Sequence, residues 1–221
     1  MKKYFFALSM FVASSVATFA NNVYSAIELP DADSTNVVFS VSDPEFEWSQ
    51  TDTKKIKVLL NAEGLKFESK EDDGVALSIV ELPINVENNR EFIFGVNIQG
   101  PKLDDKKSFG LLFDYEDGRN YKGLTIFKKQ YEYFVVKDGV RSSVKTGLVK
   151  FKGTTYKLNV KRENGGMEFT LNDIEVCKLR RISIASSYFG VYICGKMKAL
   201  MPDFIMYVPD QEDIEQSTTD I

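Results

Sequence analysis

Residues 155–171 read Thr-Tyr-Lys-Leu-Asn-Val-Lys-Arg-Glu-Asn-Gly-Gly-Met-Glu-Phe-Thr-Leu. Tyr156, Leu158 and Val160 alternate with Lys157, Asn159 and Lys161, and Met167, Phe169 and Leu171 alternate with Glu168 and Thr170. A period of two places each apolar set on one side of a strand. Between them Glu163-Asn164-Gly165-Gly166 supplies residues that tolerate positive φ, so the two runs predict an antiparallel hairpin with one buried face.

The same alternation recurs outward in both directions, in Phe92-Phe94-Val96-Ile98 and in Phe109-Leu111-Phe113-Tyr115. Further strands are predicted over 37–41, 56–60, 65–68, 75–80, 121–127, 131–136, 189–193 and 204–208. Turn signals separate them, among them Asn61-Ala62-Glu63-Gly64, Asp72-Asp73-Gly74, Glu116-Asp117-Gly118, Lys137-Asp138-Gly139 and Asn172-Asp173. About a dozen short strands at roughly ten-residue spacing, with no helical period, predict an all-β, two-sheet antiparallel β-sandwich or barrel. Aromatic residues make up 13% of the chain, bulk enough for a wide core between two sheets.

The ends read differently. Residues 1–20 combine Lys2-Lys3, an apolar stretch from Tyr4 to Val16 and the small-residue end Ala17-Thr18-Phe19-Ala20, the parts of a secretory signal peptide. Cleavage is expected near Asn21. Ser9, Ser14 and Ser15 dilute the apolar run, which is short for a membrane anchor. No cysteine follows the leader to carry a lipid. No other run is apolar enough to span a bilayer, so no membrane span is expected after leader removal. Residues 21–34 and the acidic stretch 210–221 carry little pattern and are read as flexible flanks; residues 35–209 are read as one domain. The expected destination is the periplasm or cell surface of a bacterium.

Composition excludes several kinds of chemistry. The 221 residues contain no histidine, which removes Ser-His-Asp and Cys-His arrangements and histidine-bound zinc. The formal net charge is −4, and the basic pairs Lys54-Lys55, Lys106-Lys107 and Arg180-Arg181 are short. Nucleic acid, which demands clustered Lys and Arg, is therefore not an expected partner. Cys177 and Cys194 allow a single disulfide in an oxidising compartment, or two small buried apolar side chains.

The order of motifs resembles the concanavalin A-like lectin/glucanase superfamily, which includes laminin G-like and 3-keto-disaccharide hydrolase-type domains. The resemblance rests on Phe109-Gly110-Leu111-Leu112-Phe113-Asp114-Tyr115-Glu116-Asp117-Gly118-Arg119-Asn120-Tyr121, on Phe169-Thr170-Leu171-Asn172-Asp173, on Phe189-Gly190-Val191-Tyr192 and on Asp203-Phe204. It covers roughly residues 40 to 208 and implies a jelly roll of two curved antiparallel sheets. Laminarinase-type members carry Glu-x-Asp-x-(x)-Glu on one strand, a carboxylate pair roughly 5 Å apart; no segment here matches. Cys194 falls about where the hydrolase-type domains place a late histidine, a departure that argues against hydrolysis.

No catalytic residue is therefore assigned. Sugar binding asks for an aromatic face to stack on a pyranose ring and a few polar groups for its hydroxyls. The candidates are Trp48, Tyr115, Tyr121, Tyr131 and Tyr133, with Arg119 and Asn120 between two of them. No cofactor is expected; the oxygens of Asp114, Glu116, Asp117 and Asn120 offer a weak calcium alternative, without the alternating spacing of a dedicated calcium loop. The expected function is an exported, non-catalytic carbohydrate-binding or recognition module whose partner is a glycan or cell-surface polysaccharide. The alternatives are a structural or protein-interaction sandwich with a protein partner and, behind it, a glycoside hydrolase.

Overall fold

The computed structural model describes residues 37–84 and 91–207. The expected leader, the segment 21–34 and the acidic stretch 210–221 lie outside the described residues. No helix among the described residues is long and apolar enough to cross a membrane.

The described residues form two antiparallel sheets. The strands are β1 (Val37–Ser40), β2 (Thr51–Asp52), β3 (Ile56–Asn61), β4 (Gly64–Ser69), β5 (Val75–Glu81), β6 (Phe92–Gln99), β7 (Ser108–Asp117) and β8 (Asn120–Phe127). They continue as β9 (Gln130–Lys137), β10 (Val140–Leu148), β11 (Thr155–Glu163), β12 (Gly166–Leu171), β13 (Ile174–Leu179), β14 (Tyr188–Cys194), β15 (Met197–Met201) and β16 (Asp203–Tyr207). A ten-stranded sheet runs β13-β12-β11-β6-β15-β4-β3-β2, with β16 joining β6 to β1. A six-stranded sheet runs β10-β9-β8-β7-β14-β5. The protein is an all-β sandwich, as the alternating runs predict.

The hairpin over 155–171 pairs Leu158 with Leu171, Val160 with Phe169 and Arg162 with Met167. Its turn holds Asn164 and Gly165 at φ 50° and 74°. Two positive φ values in a two-residue loop match the right-handed twist of the flanking strands. Inward-facing rings lock the two sheets together: Phe94 against Phe189 at 5.2 Å, Phe109 against Tyr156 at 4.8 Å and Phe113 against Phe169 at 5.6 Å. Each such ring removes a large apolar area from water and gains a further ~0.5–1.5 kcal/mol from ring geometry.

β2, β10, β13 and β15 are strands that the alternation did not reveal. β10 shows why. Val140, Val144 and Leu148 are 67%, 59% and 80% exposed, and a bulge between Ser143 and Lys145 shifts the faces midway. An edge strand that buries almost nothing leaves no apolar alternation to read. Cys177 is buried on β13 and Cys194 is half-buried on β14, in the opposite sheet; both thiols are free.

The core buries phenols as well as hydrocarbon. Burial pushes Tyr131 and Tyr156 above the ordinary tyrosine range and pushes Tyr133 up to about 12. In the unfolded chain these groups titrate near pH ~10. The folded state therefore binds more protons above that pH, and its stability falls as pH rises, by up to ~1.4 kcal/mol per unit per group. The contribution is complete below pH ~10 and lost as pH climbs through about 12 for Tyr133. We expect phenolate absorbance and loss of near-ultraviolet circular dichroism to rise together in one cooperative alkaline step. Smooth phenol titration with folded circular dichroism retained would contradict this.

Candidate functional site

The outer face of the six-stranded sheet carries a second apolar cluster. Its centre is Leu112, Phe134, Val136 and Tyr192, with Leu77, Ile79, Tyr115, Tyr121 and Cys194 packed around it. Three glycines shape this face. A Cβ on Gly110 would lie 2.7 Å from the Tyr192 ring, one on Gly123 would lie 2.5 Å from Phe134, and one on Gly190 would lie 2.3 Å from Ile79. Each glycine on β14, β7 or β8 thus leaves a slot in which a large neighbour lies flat on the sheet.

One register row across the sheet reads Leu77, Tyr192, Gly110, Thr125, Glu132 and Thr146. Thr125 and Tyr192 share a buried hydrogen bond between their hydroxyls. Burial is the main cause that keeps the Tyr192 phenol protonated far above neutral pH. Arg141 reaches back from β10 and holds its guanidinium carbon 3.6 Å above the centre of the Phe134 ring. Its Nη2 donates to Glu132 Oε2 at 2.6 Å and approaches Thr125 Oγ1 at 3.5 Å. Cation–π contact and ion pair together fix a long, otherwise mobile side chain. Thr125, Glu132, Arg141 and Tyr192 line a cleft of about 270 Å³ together with Phe127 and Lys107, while Phe134 lies buried beneath Arg141. Its chemistry is an aromatic and apolar floor with convergent hydroxyl, guanidinium and carboxylate groups, which suits a polyhydroxylated ligand.

The residues expected from sequence divide into three sets. Trp48 and Tyr133 do not present faces to solvent, and the expectation for them is corrected. Trp48 is buried edge-to-face against Phe204 at 5.4 Å, and Tyr133 is stacked on Phe113 between the sheets at 6.2 Å; Tyr131 is likewise buried. Arg119 and Asn120 are committed to backbone. The Arg119 guanidinium donates to the Asp138 carbonyl at 3.0 Å, and Asn120 Oδ1 accepts the Asp138 N–H at 3.0 Å. The two residues tie the β7–β8 turn to the β9–β10 turn. Tyr115 and Tyr121 do lie together on the outer face, half-buried, with ring centres 5.9 Å apart.

The four side chains offered for calcium do not converge. Asp114 Oδ1 accepts the Ala185 and Ser186 N–H groups at 2.7 and 3.0 Å, and Asp114 Oδ2 accepts Lys122 Nζ at 2.5 Å. Asp117 instead caps its own turn through the Arg119 N–H and Asn120 Nδ2; the first of these bonds is the main cause that lowers its carboxyl below the usual range. Among the described residues no group of three histidine, cysteine or acidic side chains is placed to hold a metal. Thr125, Glu132, Arg141 and Tyr192 are the site residues that sequence reasoning missed. The available signal was an outward-facing glycine in each of β7, β8 and β14.

No protein-family model and no curated protein sequence matches the chain. Solved structures do. The carbohydrate-binding module CBM66 from Bacillus subtilis aligns with TM-score 0.53 at 16% identity, covering 72% of this chain and 94% of that one. A protein of unknown function with a galectin-like fold, also from Bacillus subtilis, aligns with TM-score 0.52 at 9% identity over 78% of this chain and 98% of that one. A structure concerned with the interaction of botulinum neurotoxin type C with two ganglioside molecules aligns with TM-score 0.51 at 15% identity, over 85% of this chain and 51% of that one. At such identities the likeness speaks for architecture alone: the chain has the jelly-roll β-sandwich fold of galectin-like and carbohydrate-binding-module structures.

Proposed function

We propose that this protein is an exported, non-catalytic glycan-recognition domain whose binding site is the cleft on the outer face of the six-stranded sheet. The observation that carries the reading is Arg141, held on Phe134 and paired with Glu132 beside the Thr125 and Tyr192 hydroxyls. A guanidinium and a carboxylate fixed side by side supply a donor and an acceptor to neighbouring sugar hydroxyls, while the ring beneath excludes water. The neighbours whose names mention carbohydrate or ganglioside binding support the same reading, as does the expected leader over 1–20. The concanavalin A-like resemblance of the sequence fits the jelly roll and belongs to this proposal. Glu132 is paired with Arg141 and the rim carboxylate Asp105 with Lys128. Both carboxylates of the cleft are thus engaged in ion pairs, which favours binding over glycoside cleavage by two carboxyl groups.

The test is a glycan array followed by thermal shift on the mature protein. We expect binding to a restricted set of glycans and a raised melting temperature. Arg141→Met should weaken it roughly ten- to a hundredfold, the loss of a charged hydrogen bond, with the unliganded melting point little changed. A flat array, or equal binding by Arg141→Met and Glu132→Gln, would sink the proposal.

A further inference from the structure

The cleft is one end of a longer strip. Tyr121 and Thr125 face outward on β8 four residues apart, and at about 3.3 Å per residue they lie roughly 13 Å from one another. Phe134 bridges the interval. Arg141 covers its face at 3.6 Å and Tyr121 meets its edge with ring centres 6.1 Å apart. Tyr115 then lies against Tyr121 at 5.9 Å with the rings tilted by 33°. Between Tyr121 and Thr125 the intervening outward position is Gly123, so no side chain of β8 rises between the two ends. Polar donors thus stand at one end and an aromatic step at the other, with Phe134 buried beneath Arg141 and Tyr121 between them.

A single sugar ring cannot touch both ends. Resting on the glycan reading above, we propose that the ligand is the interior of an oligo- or polysaccharide chain of roughly three or more units, laid along β8 to span the ~13 Å. The cleft takes one unit through Arg141, Glu132 and Thr125. Tyr121 and Tyr115 form a second subsite that stacks beneath a unit farther along. The ties from Arg119 and Asn120 to the Asp138 backbone act as positioning contacts, since they fix the turn from which Tyr121 enters β8.

Ladders of matched oligosaccharides, from mono- to hexasaccharide and drawn from β-glucan, mannan and pectic series, provide the test by calorimetry. For a series that binds, affinity should climb at least about tenfold between the short and the long members, in line with one added stacking contact. Tyr121→Ala should flatten that climb, lowering long-chain affinity about tenfold while short members lose far less. Tyr121→Leu keeps bulk against Phe134 but removes the aromatic face; it should flatten the climb equally, which separates stacking from a packing defect. Length-independent affinity in wild type, or Tyr121 variants that weaken short and long members alike, would overturn the extended site and leave the cleft standing. Failure of every ladder to bind would overturn the glycan reading and this inference together.

Discussion

Replacing Asp114 with alanine is expected to destabilise the folded chain by about 3–5 kcal/mol, the range for removing one partner of a buried ion pair. The carboxylate side chain is 10% exposed and that of Lys122 is 21% exposed, so solvent screens the pair poorly. Asp114 sits at φ 52°, within the register shift between Phe113 and Asp117 on β7. The left-handed backbone turns the carboxylate toward the segment that joins β13 to β14, where it accepts the N–H groups of Ala185 and Ser186. Lys122 then donates onward to the Ser183 carbonyl, and Ser186 Oγ donates to the Tyr115 carbonyl. Arg162 adds a second cation: burial lowers its basicity, the Asp114 charge opposes that effect, and its Nε and Nη1 have no hydrogen-bond partner among the described residues. Alanine would therefore strand two cations and two amide groups at one end of the sandwich. Asp114→Asn keeps an acceptor for both amides, so about half the loss is expected, on the usual ~1–3 kcal/mol per unsatisfied group. Urea unfolding measures both. A loss below ~1 kcal/mol for Asp114→Ala would show that the segment is held by its apolar contacts alone.

That cluster also shows which parts of the molecule were legible in the sequence. The acidic run from Asp114 to Asp117 was visible, but its use was not. A reading by strand parity groups Asp114 with Glu116, whereas the left-handed residue and the bulge send Asp114 into the sandwich end and leave Glu116 in solvent. The fold was readable because its inner faces repeat with period two, and Tyr156-Leu158-Val160 needs no knowledge of its neighbours to declare a buried side. The site depended on neighbours. β9 is apolar on both faces, Tyr131, Tyr133 and Val135 inward and Phe134 and Val136 outward. Nothing along that strand says which face holds the platform. Trp48 lies in a polar neighbourhood of sequence, yet Ser49 binds the edge of β5 through the Ile79 N–H and carbonyl and so turns Trp48 onto Phe204. Arg141 lies on a strand that shows no pattern at all. Its partners Phe134 and Glu132 come within reach only once β10 has folded back on β9.

Gly110→Ala is expected to cost about 3 kcal/mol, the upper part of the range for overpacking, and to abolish ligand binding at the cleft. The added Cβ would lie 2.2 Å from the Leu124 carbonyl oxygen and 2.7 to 2.9 Å from two atoms of the Tyr192 ring. The first contact is with backbone of the adjoining strand, so no side-chain rotation relieves it. The second is with the ring that floors the cleft and whose hydroxyl bonds Thr125. A shifted Tyr192 gives up that bond, and Thr125 in turn leaves its place beside Arg141. Tyr192→Leu introduced into the Gly110→Ala background separates the two clashes. It should recover the part of the stability owed to the ring contact and none of the part owed to the Leu124 carbonyl, so the substitutions will be non-additive by ~1 kcal/mol or more, as expected for residues in contact. Binding should not return, because the Tyr192 hydroxyl is gone. If Gly110→Ala unfolds at the wild-type urea concentration and binds as wild type does, then Tyr192 does not rest in the glycine slot and the cleft floor is built some other way.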